Sequence, residues 1–208
     1  MFIERKSAMC EVKFESILAN HCSPVLMGTK LSNLISVSKQ DAGHGDELLK
    51  KYKSAFKTYG IAIEMLCECD ERMQLFVYNE ERLRRHLHKE SIASFLMDYG
   101  YSSSDLSSCL AVLKAKLRHF EFPHEIGIFL GFPLDDVKSF IENQGQNYIY
   151  CSYWKVYHNP DLARRTFDLY DRLRAFVKSR LDEGDSIEVV MRDVYKSSKG
   201  LHDLLNAY

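Results

Sequence analysis

The sequence predicts an α+β protein in which many short helices surround a small antiparallel β-sheet within a single compact domain. Two observations predict this class. Most segments carry apolar residues at helical spacing and are bounded by proline, glycine or capping residues. Residues 61–78 instead alternate apolar and polar side chains around a tight turn, which is typical of a β-hairpin. At 208 residues, the chain can bury a core without disulfides or a metal.

The first part of the chain is predicted to contain two helices, a strand and a third helix. Apolar spacing indicates a helix over 11–20. Pro24 is expected to start the second helix, because proline lacks an N–H group that would be unpaired there anyway. Residues 31–38 are compatible with a strand, residues 40–45 with a loop, and residues 46–59 with an amphipathic helix.

The middle of the chain is predicted to form the hairpin and then three helices. The two strands are residues 61–69 and 73–78, and the first would place Ile61, Ile63, Met65, Cys67 and Cys69 on one face. Core packing is the favoured role of the two cysteines. The helices are expected over about 80–88, 90–99 and 105–120, the last with Ser104 as its N-cap.

Two short helices and a strand are predicted next. Residues 122–145 contain two prolines that suit first helical turns, Pro123 and Pro133. Residues 147–157 are rich in aromatic and β-branched side chains and are therefore expected to form a strand.

The C-terminal part is predicted to be helical. A long helix is expected to begin after Asn159 and to run to about residue 182, and another covers 186–195. Gly184 separates them, so we predict a single domain over 1–183 with a helical appendage of the same domain over 184–208.

Composition excludes several classes of function. With 28 basic and 29 acidic residues, the net charge is −1, so we expect neither nucleic acid nor a membrane as a partner. The N-terminal residues do not form a signal peptide, which predicts a cytoplasmic protein with reduced cysteines. The six cysteines include no CxxC pair, so no metal site is predicted. Gly-rich phosphate loops and GxSxG elbows are also absent from the sequence.

Cys22 is the first candidate for chemistry. If Pro24 starts a helix, Cys22 lies at its N-terminus, where unpaired N–H groups and the helix dipole favour a thiolate. His21 could take the proton, which is the arrangement that a nucleophilic thiol needs. The alternative interpretation is a small, buried and inert cysteine.

His124 and Glu125 form the second candidate. They follow Pro123, so the imidazole is expected at another positive helix end, available as a base or as a metal ligand. Glu125 could orient the ring of His124 or His21. The alternatives are a capping histidine and a glutamate that interacts only with the helix dipole.

The segment SYWKVY contains the single tryptophan, Trp154. On a strand, Lys155 would point to the opposite side from Trp154. An aromatic wall beside a substrate pocket is one interpretation, and a sheet packed on helices is the other. The cluster RLRRHLHK at 82–89 resembles a phosphate patch, but a solvated helix face is favoured because glutamates surround it.

Three segments resemble a known family. They are LANHCSPVLMGTKLSNL (18–34), FPHEIGIFLGFPLDDVKSFIENQGQNY (122–148), and SYWKVY followed by a long helix. The chain is similar to a domain-of-unknown-function family of clostridia and related anaerobes, with N-H-C-[small]-P and P-H-E-I-G-x-F-L-G motifs. This sequence departs from that pattern at Met27, at Leu31 and after Gly184.

The resemblance implies which positions matter and does not supply a reaction. It places Asn20, His21, Cys22, Lys30, His124 and Glu125 at motif positions. The family's association with iron uptake and flavodoxin genes implies a link to iron or haem in anaerobic metabolism. The resemblance does not define a cofactor.

Two classes of function follow, with a third as the plainer alternative. The first is a cysteine-dependent hydrolase or acyl transferase acting on a small molecule or peptide. Its catalytic residues would be Cys22, His124, Glu125, Asn20 and His21, and its substrate-binding residues Lys30, Trp154 and Lys155. The second class is a non-enzymatic iron or haem binder. The third is an interaction module in which the motifs serve packing and capping.

Overall fold

The structure is a computed structural model and describes residues 2–41, 46–68, 71–102, 105–118 and 122–197. Over these residues the α+β class is confirmed, because helices predominate and both small sheets are antiparallel. The elements in chain order are α1 (Phe2–Leu26), β1 (Ser32–Ser38), α2 (Asp46–Lys57), β2 (Ile61–Glu68), β3 (Arg72–Asn79), α3 (Glu80–Leu87), α4 (Glu90–Asp98), α5 (Leu106–Lys116), α6 (Ile126–Phe129), α7 (Leu134–Glu142), β4 (Tyr150–Cys151), β5 (Lys155–Val156), α8 (Pro160–Asp182) and α9 (Ile187–Lys196).

Residue contacts divide the chain into two compact units. Unit 1 comprises the described residues within 1–79 and 169–208, and unit 2 comprises those within 80–168. The division falls inside α8. The predicted boundary at Gly184 stays a prediction, although α9, which follows it, contributes four buried side chains to the core of unit 1. Among the described residues, no helix is both long and apolar enough to cross a membrane.

Unit 1 contains a three-stranded antiparallel sheet with the order β1-β3-β2. The predicted hairpin of β2 and β3 is confirmed. The alternation of β2 holds for Ile61 and Ile63, which are both buried. A β-bulge between Met65 and Cys67 then shifts the register, so that Leu66 is fully buried in place of its neighbours. Cys69 lies outside the described residues.

The expected helix break at Pro24 is wrong. One helix, α1, runs through this proline and ends at Leu26. Pro24 lies in the last turn, where its missing N–H group removes only a bond to the carbonyl of Asn20, an exposed residue. The Ser23 hydroxyl donates a hydrogen bond to the Ala19 carbonyl at 2.5 Å, which provides a side-chain bond in the same turn.

Helices α1, α2, α9 and the second part of α8 supply the apolar side chains that pack with the sheet of unit 1. A buried carboxylate lies among them. Glu15 of α1 accepts hydrogen bonds from the Tyr52 hydroxyl at 2.8 Å and from the backbone N–H of Ile187 at 3.1 Å. Because Ile187 opens α9, Glu15 satisfies one of the unpaired N–H groups at that helix start.

Unit 2 contains α3 to α7, the β4–β5 hairpin and the first turns of α8. The helices predicted over about 80–88, 90–99 and 105–120 are confirmed as α3, α4 and α5, and Pro133 serves as the N-cap of α7. The helix expected to start at Pro123 instead begins at Ile126, after a turn. The N-cap of α5 is Asp105, which accepts from the Ser108 N–H at 2.9 Å. The predicted cap Ser104 lies outside the described residues.

The single strand predicted over 147–157 is wrong. This segment forms two strands of two residues each, joined by a turn in which Ser152 N–H bonds to the Trp154 carbonyl at 3.2 Å. A two-residue ladder carries no periodic signal, so the aromatic composition alone predicted a strand. The turn changes where the side chains of Trp154 and Lys155 point.

Candidate functional site

Unit 2 contains a pocket of about 340 Å³ between the turn before α6, helix α7 and the β4–β5 hairpin. Both sequence segments that resembled family motifs in this part of the chain contribute to it. Its lining is mostly aromatic and aliphatic, with a few polar side chains: Phe122, His124, Ile126, Gly127, Leu130, Phe132, Asp136, Val137, Phe140, Cys151, Ser152, Tyr153, Trp154 and Lys155. This composition is typical of small-molecule sites.

Gly127 allows α6 to approach α7 closely. A Cβ atom at this position would lie 2.8 Å from Cγ2 of Val137 and 3.2 Å from the Phe132 ring. Contacts that short are repulsive, so any larger residue would push the wall of the pocket outwards. The glycine of the HEIG sequence is therefore required by packing.

Asp136 attaches the hairpin to α7. Its side chain is only 2% exposed and accepts three hydrogen bonds. The donors are the Trp154 Nε1–H at 2.8 Å, the Tyr157 N–H at 2.9 Å and the His158 N–H at 2.8 Å. These bonds compensate for burial of the carboxylate and fix the indole ring of Trp154 in the pocket wall.

The aromatic wall is built around Trp154. Its ring stacks on Phe132, with centroids 5.2 Å apart and planes 28° apart. On another side it meets the edge of Phe167 at 4.4 Å. The rings therefore hold one another in fixed orientations, and the pocket has a flat, rigid face.

Lys155 places a positive charge beside this wall. Its Nζ donates to the Gly145 carbonyl at 2.7 Å and lies 4.9 Å from the centre of the Tyr148 ring and 5.7 Å from that of Phe140. Among the described residues, no carboxylate forms an ion pair with Lys155. The strand prediction put Lys155 and Trp154 on opposite sides, whereas both line this pocket.

His124 lies in the turn before α6 and also lines the pocket. Its ring is 5.2 Å from the centroid of Phe140, which it meets edge-on, and 6.2 Å from that of Phe122. The predicted helix start at this histidine is replaced by a turn, and α6 itself has only four residues. The imidazole is exposed at the pocket and available to a ligand.

Cys151 is a pocket residue that the sequence reasoning missed. It is exposed, and it pairs with Lys155 across the β4–β5 ladder. Directly opposite residues in an antiparallel pair have neighbouring side chains, so the thiol and the ammonium group belong to one rim. Only the hairpin creates this pairing, and no local pattern of residues predicts that turn.

Glu125 has partners other than an imidazole. It is 3% exposed, pairs with the Lys116 ammonium at 2.5 Å and accepts from the Tyr101 hydroxyl at 3.2 Å. Burial and the Glu125 charge raise the pKa of Tyr101. These contacts give Glu125 a structural role in unit 2, in contrast to the predicted role of orienting a histidine.

Cys22 lies in the interior of α1, within unit 1, and its side chain is inaccessible to solvent. Burial raises its pKa to about 12, although the charge of Lys30 opposes this shift. The expected position at a helix N-terminus is wrong, so the dipole that was to stabilise a thiolate is absent. This environment is that of an inert core cysteine.

Asn20 and His21, which precede Cys22 in the motif, are exposed on the same helix. The pKa of His21 is lowered, first by partial burial and then by the nearby charge of Arg174. The amide of Asn20 donates to the Ser16 hydroxyl at 3.4 Å. Both residues belong to unit 1.

Lys30 is a buried cation in unit 1, only 6% exposed. Its Nζ donates to Asn33 Oδ1 at 2.8 Å, and burial lowers its pKa to about 8, opposed by the effect of Cys22. Substrate contact was predicted for this lysine. Its ammonium group contacts Asn33 at the start of β1 and lies 6.0 Å from the centre of the Tyr170 ring, and substrate contact by this lysine stays a prediction.

The structure thus brings together three of the predicted site residues, His124, Trp154 and Lys155, in one pocket of unit 2. It places Asn20, His21, Cys22 and Lys30 in unit 1. In the described part of the chain, no group of three or more His, Cys, Asp or Glu side chains could hold a metal ion.

A comparison with protein families gives one match. The family described as "Protein of unknown function (DUF3793)" matches residues 18–191 of this chain. This match confirms the predicted resemblance to an uncharacterised family. The motif pattern of that family and its clostridial distribution stay predictions. Comparison with curated proteins gives no match, and comparison with solved structures gives none.

Proposed function

The chain belongs to the DUF3793 family, and we propose that its unit 2 binds a planar, largely apolar small molecule. The observation that carries this proposal is the aromatic pocket of about 340 Å³. Its volume lies in the range of ordinary ligand sites, about 300–1,000 Å³.

The pocket's construction supports binding of a flat ligand. Trp154 and Phe132 are already stacked, and Asp136 fixes the indole ring by a hydrogen bond. A preformed wall loses little side-chain entropy when a ligand arrives. Aromatic stacking contributes about 0.5–1.5 kcal/mol for each ring pair beyond the burial of surface.

Binding is favoured over the hydrolase hypothesis because the predicted nucleophile is inaccessible. The side chain of Cys22 has no exposed surface, and its burial raises the pKa of the thiol, and both properties oppose attack on a substrate. Haem binding stays a specific form of the binding proposal. His124 and Cys151 would then be the residues that hold the haem iron, since both line the pocket.

Trp154 provides a direct test, because it is the only tryptophan of the chain and lies in the pocket wall. Its fluorescence should change saturably when the protein is titrated with planar aromatic compounds, haem among them. The substitution Phe140→Ala removes an aromatic ring from the pocket lining and should weaken binding of these compounds by about tenfold. Leu162→Ala is the matched control, because Leu162 is 56% exposed and does not line the pocket.

Folding of both variants is checked by circular dichroism and thermal unfolding. If no compound alters Trp154 emission at concentrations up to its solubility, the binding proposal is wrong. If Phe140→Ala and Leu162→Ala weaken binding equally while both remain folded, the site lies elsewhere.

A further inference from the structure

We infer that the pocket selects an aromatic anion and that Lys155 supplies the counter-charge. This inference rests on the proposed binding function and adds the chemical class of the ligand. A planar ring system that carries a carboxylate, sulfonate or phosphate group belongs to this class of ligand.

The first step is the charge of Lys155. Its ammonium group contacts a backbone carbonyl and two aromatic rings, all of them uncharged. A protonated lysine has three N–H donors, and the bond to Gly145 uses one of them. In the described part of unit 2, the charge thus has no carboxylate partner and retains donors for a ligand.

The second step is the acidic group in the pocket wall. Asp136 is nearly fully buried and receives three hydrogen bonds, two of them from backbone N–H groups. Its oxygens are thereby committed to the hairpin. A cationic ligand would meet the ammonium group of Lys155 without an accessible carboxylate to bind it.

The third step is the fixed position of the ammonium group. Gly145 adopts a φ of +73°, and an added Cβ atom there would lie 3.3 Å from the Lys155 Nζ and 3.1 Å from the Phe140 ring. A glycine at this turn therefore makes room for the lysine beside the rings. The charge is held in place before a ligand arrives, which favours a directed ion pair.

The contrast with the other basic cluster of unit 2 supports this choice. Arg84 pairs with Glu80 at 2.9 Å and Glu81 at 3.1 Å, and Arg85 pairs with Glu81 at 3.3 Å. The charges of these arginines are already balanced on an exposed helix surface. The depression that they line has no aromatic wall.

The experiment compares two fluorescent probes of nearly the same shape. Anilinonaphthalene sulfonate carries an anionic group, and its parent, phenylnaphthylamine, is uncharged. Energy transfer from Trp154 to the bound dye reports binding, and the comparison of Lys155→Met with Lys138→Met assigns the bound dye to the pocket. The dissociation constant of each dye is measured for the wild-type protein, Lys155→Met, Lys155→Arg and the control Lys138→Met.

Lys138 is a suitable control, because it is an exposed lysine of unit 2 that lies 5.9 Å from the Phe95 ring centre and outside the pocket lining. Its removal changes the net charge by the same amount. We expect the wild-type protein to bind the sulfonate about tenfold more tightly than the parent dye. Lys155→Met should abolish this preference, while Lys155→Arg and Lys138→Met should retain it.

Equal affinity of the wild-type protein for both dyes, or a preference that survives in Lys155→Met, overturns the inference and leaves the binding function standing. Absence of energy transfer with either dye overturns the binding function and the inference together. Increasing salt should weaken sulfonate binding more than binding of the parent dye.

Discussion

The ammonium group of Lys30 and the amide of Asn33 form one end of a short hydrogen-bonded chain. Lys30 donates to Asn33 Oδ1 at 2.8 Å, and Asn33 Nδ2 donates to the His21 carbonyl at 2.5 Å. These two hydrogen bonds connect the loop after α1 with the last turns of that helix and with β1. Side chains in the segment from Asn20 to Asn33 therefore have a structural role in unit 1, independent of any role in chemistry.

The buried charge of Lys30 makes the stability of unit 1 depend on pH. Because its pKa falls from 10.5 to about 8 on folding, the folded state binds fewer protons between these values. The contribution of Lys30 to the free energy of unfolding is therefore highest above pH 10.5, where Lys30 is neutral in both states. It decreases as the pH falls to about 8, because over this range the unfolded state binds a proton that the folded state does not. A shift of this size corresponds to about 3 kcal/mol.

We predict that the unfolding free energy of the wild-type protein, relative to that of Lys30→Met, increases by up to about 3 kcal/mol as the pH rises across this window. Urea denaturation at a series of pH values measures it. Lys53→Met, at an exposed position of α2, is the control and should show no such trend. A constant difference for Lys30→Met would contradict a lowered pKa.

The cysteines should differ sharply in reactivity. Cys151 is exposed, whereas Cys22 and Cys109 are buried and have raised pKa values. We predict that iodoacetamide modifies Cys151 first and that Cys22 and Cys109 react only after unfolding. Mass spectrometry of the digested protein gives the rate for each cysteine as a function of pH.

A pocket ligand should also slow the alkylation of Cys151, because this residue lines the pocket. The partly buried cysteines Cys10 and Cys67 of unit 1 serve as internal controls. Reaction of Cys22 in the folded protein at a rate close to that of Cys151 would revive the nucleophile hypothesis.

Glu125 should matter for stability more than for ligand binding. Glu125→Gln removes the charge that pairs with Lys116 and should lower the free energy of unfolding by about 1–3 kcal/mol. Chemical denaturation measures the loss, with the exposed Glu142→Gln as the control in the same unit. If the folded variant instead loses ligand binding with unchanged stability, Glu125 has a role in the pocket.

Gly127 should tolerate no side chain in its present surroundings. Gly127→Ala places a methyl group 2.8 Å from Val137 Cγ2, so we expect a loss of about 1–3 kcal/mol in stability. The second change in Gly127→Ala/Val137→Ala removes the clashing methyl groups and should recover part of that loss. Thermal unfolding of the single and double variants tests this, and additive losses would show that the two positions do not interact.

Sequence reasoning succeeded where a structure depends on local patterns. The β2–β3 hairpin, α5 and α8 were predicted because their periodicity or caps lie within a few residues. It failed at Pro24 and over 147–157. In the first case neighbouring turns support a helix across the proline, and in the second a hairpin too short to show a period replaces a strand.

The candidate site residues also show which properties local patterns predict and which they do not. His124, Trp154 and Lys155 were named from composition and position, yet their convergence could not be predicted from one-dimensional spacing. The expected helix start beside Cys22 is wrong, and the burial of this thiol, on which its reactivity depends, could not be predicted from the sequence. Cys151 was missed, because its partner Lys155 becomes a neighbour only through the turn of the hairpin.

The sequence by itself determined the α+β class, most of the helices, the central hairpin and the positions where chemistry was to be sought. These depend on the intrinsic preferences of short segments and on the spacing of apolar residues. Only the tertiary structure decided that Cys22 is buried, that Glu125 pairs with Lys116, and that an aromatic wall and a lysine charge meet in one pocket. Burial and electrostatic environment arise from residues distant in the chain, and they determine what a thiol, a carboxylate or an ammonium group can do.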